Sequence, residues 1–166
     1  MDTRRSHVAV VLAIPVLLTA ILVAPATGVR ERAITCTVKG TSGNDHLYGT
    51  AARDVICGFG GDDYLVSRGG NDVLLGGPGD DALEPGPGND VAKGGDGSDD
   101  VSGGKGADTL RGGNGSDHCL YAVDGAGTDT VDGGAGTDRA QLDTGDRRIS
   151  IEQVEICPPR PPPPDF

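Results

Sequence analysis

The chain has 166 residues, enough for one domain of ordinary size, with 29 glycines, three tyrosines (Tyr48, Tyr64, Tyr121), two phenylalanines (Phe59, Phe166) and no tryptophan. That composition excludes a core built on large side chains. The formal net charge of −11, carried mostly by aspartate, disfavours nucleic acid and anionic lipid and favours cations, so no nucleic-acid partner is expected.

Residues 1–26 read as an export signal. Arg4 and Arg5 make a basic start, Val8 to Val23 an apolar run, and Ala24-Pro25-Ala26 a small-residue cleavage site. The run is interrupted by Pro15 and falls short of the roughly 20 residues a membrane span needs, so no span is expected after cleavage. The expected location is therefore secreted or extracellular, with attachment to a cell surface left open. Residues 27–39 follow as an amino-terminal cap, in which Ile34 to Lys39 has the β-branched character of an entry strand.

From residue 40 the chain is periodic. Nine units of nine residues run without a gap from Gly40 to Leu120: GTSGNDHLY, GTAARDVIC, GFGGDDYLV, SRGGNDVLL, GGPGDDALE, PGPGNDVAK, GGDGSDDVS, GGKGADTLR and GGNGSDHCL. Tyr121 to Val123 interrupt, and DGAGTDTVD and GGAGTDRAQ complete the array at Gln141. Slot six is aspartate in every unit: Asp45, Asp54, Asp63, Asp72, Asp81, Asp90, Asp99, Asp108, Asp117, Asp129 and Asp138. Slot four is glycine except at Ala52, and slot eight is apolar: Leu47, Ile56, Leu65, Leu74, Leu83, Ala92, Val101, Leu110, Cys119, Val131 and Ala140. A tight turn in every unit needs the positive φ values that glycine adopts without strain, and slots seven to nine are then extended, with slot eight inward and its neighbours outward.

This pattern resembles the RTX, or haemolysin-type, calcium-binding repeat GGxGxDxUx. The resemblance covers residues 40–141. It implies an all-β fold, a parallel β-roll in which two repeats make one coil. Same-side turns are then 18 residues apart. One edge carries Asp45, Asp63, Asp81, Asp99, Asp117 and Asp138, the other Asp54, Asp72, Asp90, Asp108 and Asp129. Coils stack at roughly 4.8 Å. Carboxylates at that spacing repel one another unless cations lie between them. By the resemblance, several Ca2+ ions sit between successive turns, held by the slot-six carboxylates and by backbone carbonyls of slots one to four. All eleven aspartates are metal-ligand candidates. The thin aliphatic core and the glycine content predict a chain that is largely disordered before calcium binds and folds with it outside the cell.

Four cysteines (Cys36, Cys57, Cys119, Cys157) in an exported chain predict two disulfides, not a zinc site, since CxxC spacing is lacking. Three pairings exist; closeness along the chain favours Cys36–Cys57 and Cys119–Cys157. Residues 142–157 read as a carboxy-terminal cap. There Leu142 to Ser150 keeps the nonapeptide phase, with Ile149 in slot eight and Arg147 in slot six. Arg147 is read either as a guanidinium replacing the last metal and pairing with Asp129, or as a solvated arginine. Residues 158–166 form a proline-rich tail, expected to be extended.

Catalytic motifs are lacking. Gly77-Pro78-Gly79 with Ala82 mimics a dinucleotide fingerprint but arises from the repeat, and Gly103-Gly104-Lys105 lacks the hydroxyl residue of a phosphate loop. The expected function is calcium binding without enzymatic activity. The alternative is a structural or adhesive module at the cell surface; the sequence names no protein partner.

Overall fold

The computed structural model of the protein describes residues 34–125, 127–154 and 156–158. The export signal read at residues 1–26 and the tail beyond Pro158 lie outside the described residues. Every regular element among the described residues is a strand, which follows from a turn glycine or proline recurring every few residues, too often for a helix to propagate.

The strands are β1 (Val38–Lys39), β2 (His46–Tyr48), β3 (Val55–Cys57), β4 (Tyr64–Val66), β5 (Val73–Pro78), β6 (Ala82–Glu84) and β7 (Val91–Asp96). They continue as β8 (Asp100–Ser102), β9 (Thr109–Asn114), β10 (Cys119–Ala122), β11 (Thr130–Ala135), β12 (Arg139–Leu142), β13 (Arg147–Ile149) and β14 (Gln153–Val154). The chain alternates between two parallel seven-stranded sheets, one ordered β1-β3-β5-β7-β9-β11-β13 and the other β14-β12-β10-β8-β6-β4-β2. The fold is the parallel β-roll. Register confirms two repeats per coil: Val55 pairs with Val73, Val73 with Val91 and Val91 with Thr109.

The core is one file of slot-eight side chains between the sheets. Leu47, Ile56, Leu65, Leu74, Leu83, Ala92, Val101, Leu110, Val131 and Ala140 all lie in it as the period predicts. Cys119 does not. The N–H groups of His118 and Cys119 both donate to the Asp99 carbonyl, at 3.0 and 3.4 Å. Two residues thus oppose one, which is a β-bulge. The bulge sets Cys119 opposite Asp100 and delivers Leu120, opposite Val101, to the core. Cys119 instead bonds to Cys157, and Cys36 bonds to Cys57 in β3, with Cα–Cα distances of 5.9 Å in both disulfides. The favoured pairing is the one observed. Cys36–Cys57 ties the segment leading into β1 to the first coil, and β1 pairs with β3 as an entry strand.

Glycine is required where coils touch. At Gly77 and Gly79, slots two and four of the fifth unit, φ is +130° and +138°, and an added Cβ would strike the carbonyl oxygens of Phe59 and Gly61 in the coil before. Phe59 and Arg68 hold positive φ in slot two without being glycine. Beneath them in the stack stand Thr41 and Thr50, whose turns close differently, as described next.

Candidate metal columns

The turns carry slot six to the two edges of the roll, and hydrogen bonds join each column from coil to coil. The N–H of each slot-six aspartate donates to Oδ1 of the next one on its edge. On one edge Asp45 donates to Asp63 (2.8 Å), Asp63 to Asp81 (2.8 Å), Asp81 to Asp99 (2.8 Å), Asp99 to Asp117 (3.1 Å) and Asp117 to Asp138 (3.0 Å). On the other, Asp54 donates to Asp72 (2.7 Å), Asp72 to Asp90 (2.7 Å), Asp90 to Asp108 (2.8 Å) and Asp108 to Asp129 (2.8 Å). All eleven sequence-predicted aspartates therefore fall in the two expected columns, and the interruption after Leu120 does not break either.

Both columns run one step further than the repeat. Asp129 donates to Asp146 Oδ1 at 3.0 Å, and Asp138 to Glu152 Oε2 at 2.9 Å. The chain drops one residue of phase here: Thr130 pairs with Arg147 and Val131 with Arg148, so Arg147 is in slot seven and Asp146 in slot six. The reading of Leu142 to Ser150 as in phase is corrected accordingly. Arg147 is a solvated arginine, exposed like the rest of β13, and Ile149 lies outside the core cluster.

The second oxygen of each carboxylate separates the aspartates into two kinds. Among the described residues, Oδ2 of Asp63, Asp72, Asp81, Asp90, Asp99, Asp108, Asp117, Asp129 and Asp138 is buried without a hydrogen-bond partner, and these residues are at most 2% exposed. Slot-one glycines show what surrounds those oxygens. A Cβ on Gly76 would meet Asp81 Oδ2 and, at 2.7 Å, the carbonyl oxygen of Gly94 in the next coil; one on Gly58 would meet Asp63 Oδ2 and the Gly76 carbonyl at 2.8 Å. A carboxylate oxygen and a carbonyl oxygen from the following coil thus converge beside a glycine that leaves room between them. Burial disfavours the charged form of seven of these acids. It raises the pKa of Asp81, Asp90 and Asp117 to about 6 and of Asp99 and Asp108 to about 7, and it also raises Asp63 and Asp129. The N–H from the preceding coil works against the shift, and the neighbouring carboxylates add to it.

Asp45 and Asp54, in the first coil, are different. Thr41 donates its N–H (2.6 Å) and its Oγ1–H (2.9 Å) to Asp45 Oδ2, and Thr50 does the same for Asp54 Oδ2 at 2.7 and 2.9 Å. The backbone bond from Thr50 outweighs burial and lowers the Asp54 pKa. Slot six alone does not separate these two from the other nine. The signal that distinguishes these two is threonine in slot two, where later units carry glycine or a residue with positive φ.

Slot five supplies a second ladder that sequence reasoning did not single out, although small polar residues recur there. It runs the opposite way: Asn44 Oδ1 accepts from Asp62 N–H (2.9 Å), Asp62 Oδ1 from Asp80 N–H (3.0 Å) and Asp80 Oδ1 from Ser98 N–H (2.8 Å). On the other edge Asn71 accepts from Asn89 and Asn89 from Ala107, both at 3.0 Å. The two ladders hold the turns in register independently of anything bound to Oδ2.

An ionised carboxylate oxygen buried without a donor costs several kcal/mol unless a cation faces it. The donor set here is all oxygen, one carboxylate per turn with carbonyls beside it, which suits a hard cation of flexible coordination such as calcium better than magnesium or zinc. No group of three or more His, Cys, Asp or Glu side chains gathers among the described residues; the carbonyls must complete any shell. His118 Nδ1 lies 3.1 Å from Asp100 Oδ1, a pair belonging to slot seven and not to either column.

The family model for the RTX calcium-binding nonapeptide repeat matches four times, at residues 39–74, 58–92, 93–120 and 121–147. No curated protein and no solved structure matches the chain.

Proposed function

We propose that this chain, which belongs to the RTX calcium-binding nonapeptide repeat family, binds several calcium ions along its two aspartate columns and depends on them to fold. The observation that carries this reading is the set of nine buried carboxylate oxygens without a hydrogen-bond partner among the described residues. In this reading Asp63, Asp72, Asp81, Asp90, Asp99, Asp108, Asp117, Asp129 and Asp138 each supply Oδ2 to an ion. Asp45 and Asp54 act as caps satisfied by threonine. Without metal, adjacent carboxylates stack at coil spacing with their charge unanswered, and binding to the folded form alone draws the chain into it.

Two disulfides, together with the export signal read in the sequence of residues 1–26, support a protein that works in an oxidising compartment outside the cytosol. Extracellular calcium modules typically bind at about 0.1–1 mM, so the chain would remain unfolded at cytosolic calcium and fold after export. Carboxylates that serve as calcium ligands are not available as acids and bases, and we read the protein as non-enzymatic. The second reading, an adhesive surface module, draws on Ile34 of the amino-terminal cap and on Tyr48 and Phe59 of the first coils, which are 62%, 50% and 51% exposed.

Circular dichroism and sizing of the mature polypeptide, metal-free and then with calcium added, test both readings. The first expects strand signal to appear with calcium in a monomer. Strand content that is the same before and after metal removal would refute it, and calcium-driven oligomers would favour the second.

A further inference from the structure

The column containing Asp138 ends in an arrangement that no repeat contributes. Asp138 is fully buried, and among the described residues its Oδ2 has no hydrogen-bond partner. Its N–H is received by Glu152 Oε2 at 2.9 Å, over a separation of 14 residues. Ordinary steps on the columns span 18 residues, and the step across the interruption spans 21. The chain has taken a shorter path after Gln141, and a side chain one methylene longer than aspartate stands at the place that a slot-six carboxylate takes elsewhere.

The carbonyl that belongs to such a site is also supplied from outside the repeats. A Cβ on Gly133 would strike Asp138 Oδ2 and the Ser150 carbonyl oxygen. The same construction at Gly76 meets Asp81 Oδ2 and the Gly94 carbonyl, and at Gly112 it meets Asp117 Oδ2 and, at 2.5 Å, the Gly133 carbonyl. Ser150 thus fills the role of the next coil's slot-one glycine, and it does so with a left-handed φ of +48°.

The other column terminates differently. Asp146 Oδ1 accepts from Asp129 N–H, and Asp146 Oδ2 accepts from Asp143 N–H at 2.8 Å. Its carboxylate is closed by its own turn, as threonine closes Asp45 and Asp54 at the opposite end. Among the described residues Glu152 shows no such closure, and it is solvent-exposed.

We infer that Asp138 Oδ2, the Ser150 carbonyl and the Glu152 carboxylate form a terminal calcium site beyond the last nonapeptide, so that one column ends on an ion and the other on a hydrogen bond. This rests on calcium occupying the columns. It makes Glu152 and Ser150 part of the metal machinery, and it gives β14 a calcium-dependent attachment to the roll.

The test is a calcium titration of the full mature chain by calorimetry, with native mass spectrometry to count ions, on wild type, Glu152→Gln and Gly133→Ala. Glu152→Gln retains an acceptor for the Asp138 N–H but loses the charge. Gly133→Ala places a methyl group between the Asp138 and Ser150 oxygens. Each variant is expected to bind one ion fewer, or that ion at least tenfold more weakly, with strand content at saturating calcium unchanged. Equal stoichiometry and midpoints in all three proteins would overturn the terminal site while leaving the columns intact. Wild-type protein that takes up no calcium would overturn both.

Discussion

The backbone N–H of Asp81 donates to Asp99 Oδ1 at 2.8 Å, while Asp99 Oδ2, on the same carboxylate, is buried with no partner among the described residues. One oxygen belongs to the scaffold and the other is left for a ligand. Asp99→Asn separates the two duties. The amide oxygen still accepts from Asp81, but the second position becomes an N–H2 donor that repels a cation. Calcium affinity at that turn should fall about tenfold or more, equivalent to about 1.4 kcal/mol per tenfold. The metal-free protein should become more stable, because a buried charge has been removed. Circular dichroism across a calcium titration, metal-free baseline included, checks both halves; a variant with less strand signal than wild type in the metal-free state would show that the carboxylate is structural.

Acid should act on the metal-free and calcium-loaded proteins in opposite directions. Burial places the folded-state pKa of Asp81, Asp90 and Asp117 at about 6 and of Asp99 and Asp108 at about 7, against 3.8 for an ordinary aspartate. The folded metal-free chain therefore binds more protons than the unfolded chain across that range. Its stability contribution is full below 3.8 and is lost as pH rises through about 6 to about 7. Metal-free protein should show more strand signal at pH 5 than at pH 7.5. Calcium binds the ionised form, so its midpoint concentration should rise as pH falls from 7.5 to 5. Metal-free strand signal that grows as pH rises would contradict the assignment.

Glycine substitutions distinguish contact from conformation. Gly94 has no left-handed φ, but its added Cβ would meet Asp99 Oδ2 and carbon atoms of that same side chain within 3 Å. Gly43, by contrast, has only Thr41 Oγ1 within reach, at 3.9 Å. Gly94→Ala should raise the calcium midpoint severalfold and lower the melting temperature in calcium. Gly43→Ala should be neutral or slightly stabilising, by about 0.4–1 kcal/mol, through the reduced entropy of the unfolded chain. Thermal melts at fixed calcium compare the two directly.

The roll, its two columns and ten of the inward side chains were legible because a period of nine fixes direction as well as spacing. Counting fails only where the backbone slips against the count. At His118 the bulge moves the core position from Cys119 to Leu120, and after Gln141 a lost residue moves slot six from Arg147 to Asp146. Neither slip changes composition, so neither shows in a pattern of residue types. The division of the aspartates was hidden for another reason. Whether an oxygen is satisfied depends on what faces it in three dimensions, and the turns of Thr41 and Thr50 fold back onto their own aspartates.

Those threonines give the first coil a stability that should not depend on metal. Thr50 donates both N–H and Oγ1–H to Asp54 Oδ2, and its Oγ1 accepts from Ala52 N–H at 3.1 Å. Thr50→Val preserves shape and the backbone donor but removes the hydroxyl, at an expected cost of about 1–2 kcal/mol. Because Asp54 has a lowered pKa, its contribution is present above 3.8 and is lost as pH falls through the folded value, opposite to the columns. In calcium, amide exchange of Val55 to Cys57 should accelerate in Thr50→Val, while the calcium stoichiometry stays that of wild type. Loss of one ion in this variant would instead make Asp54 a metal ligand like the aspartates that follow it.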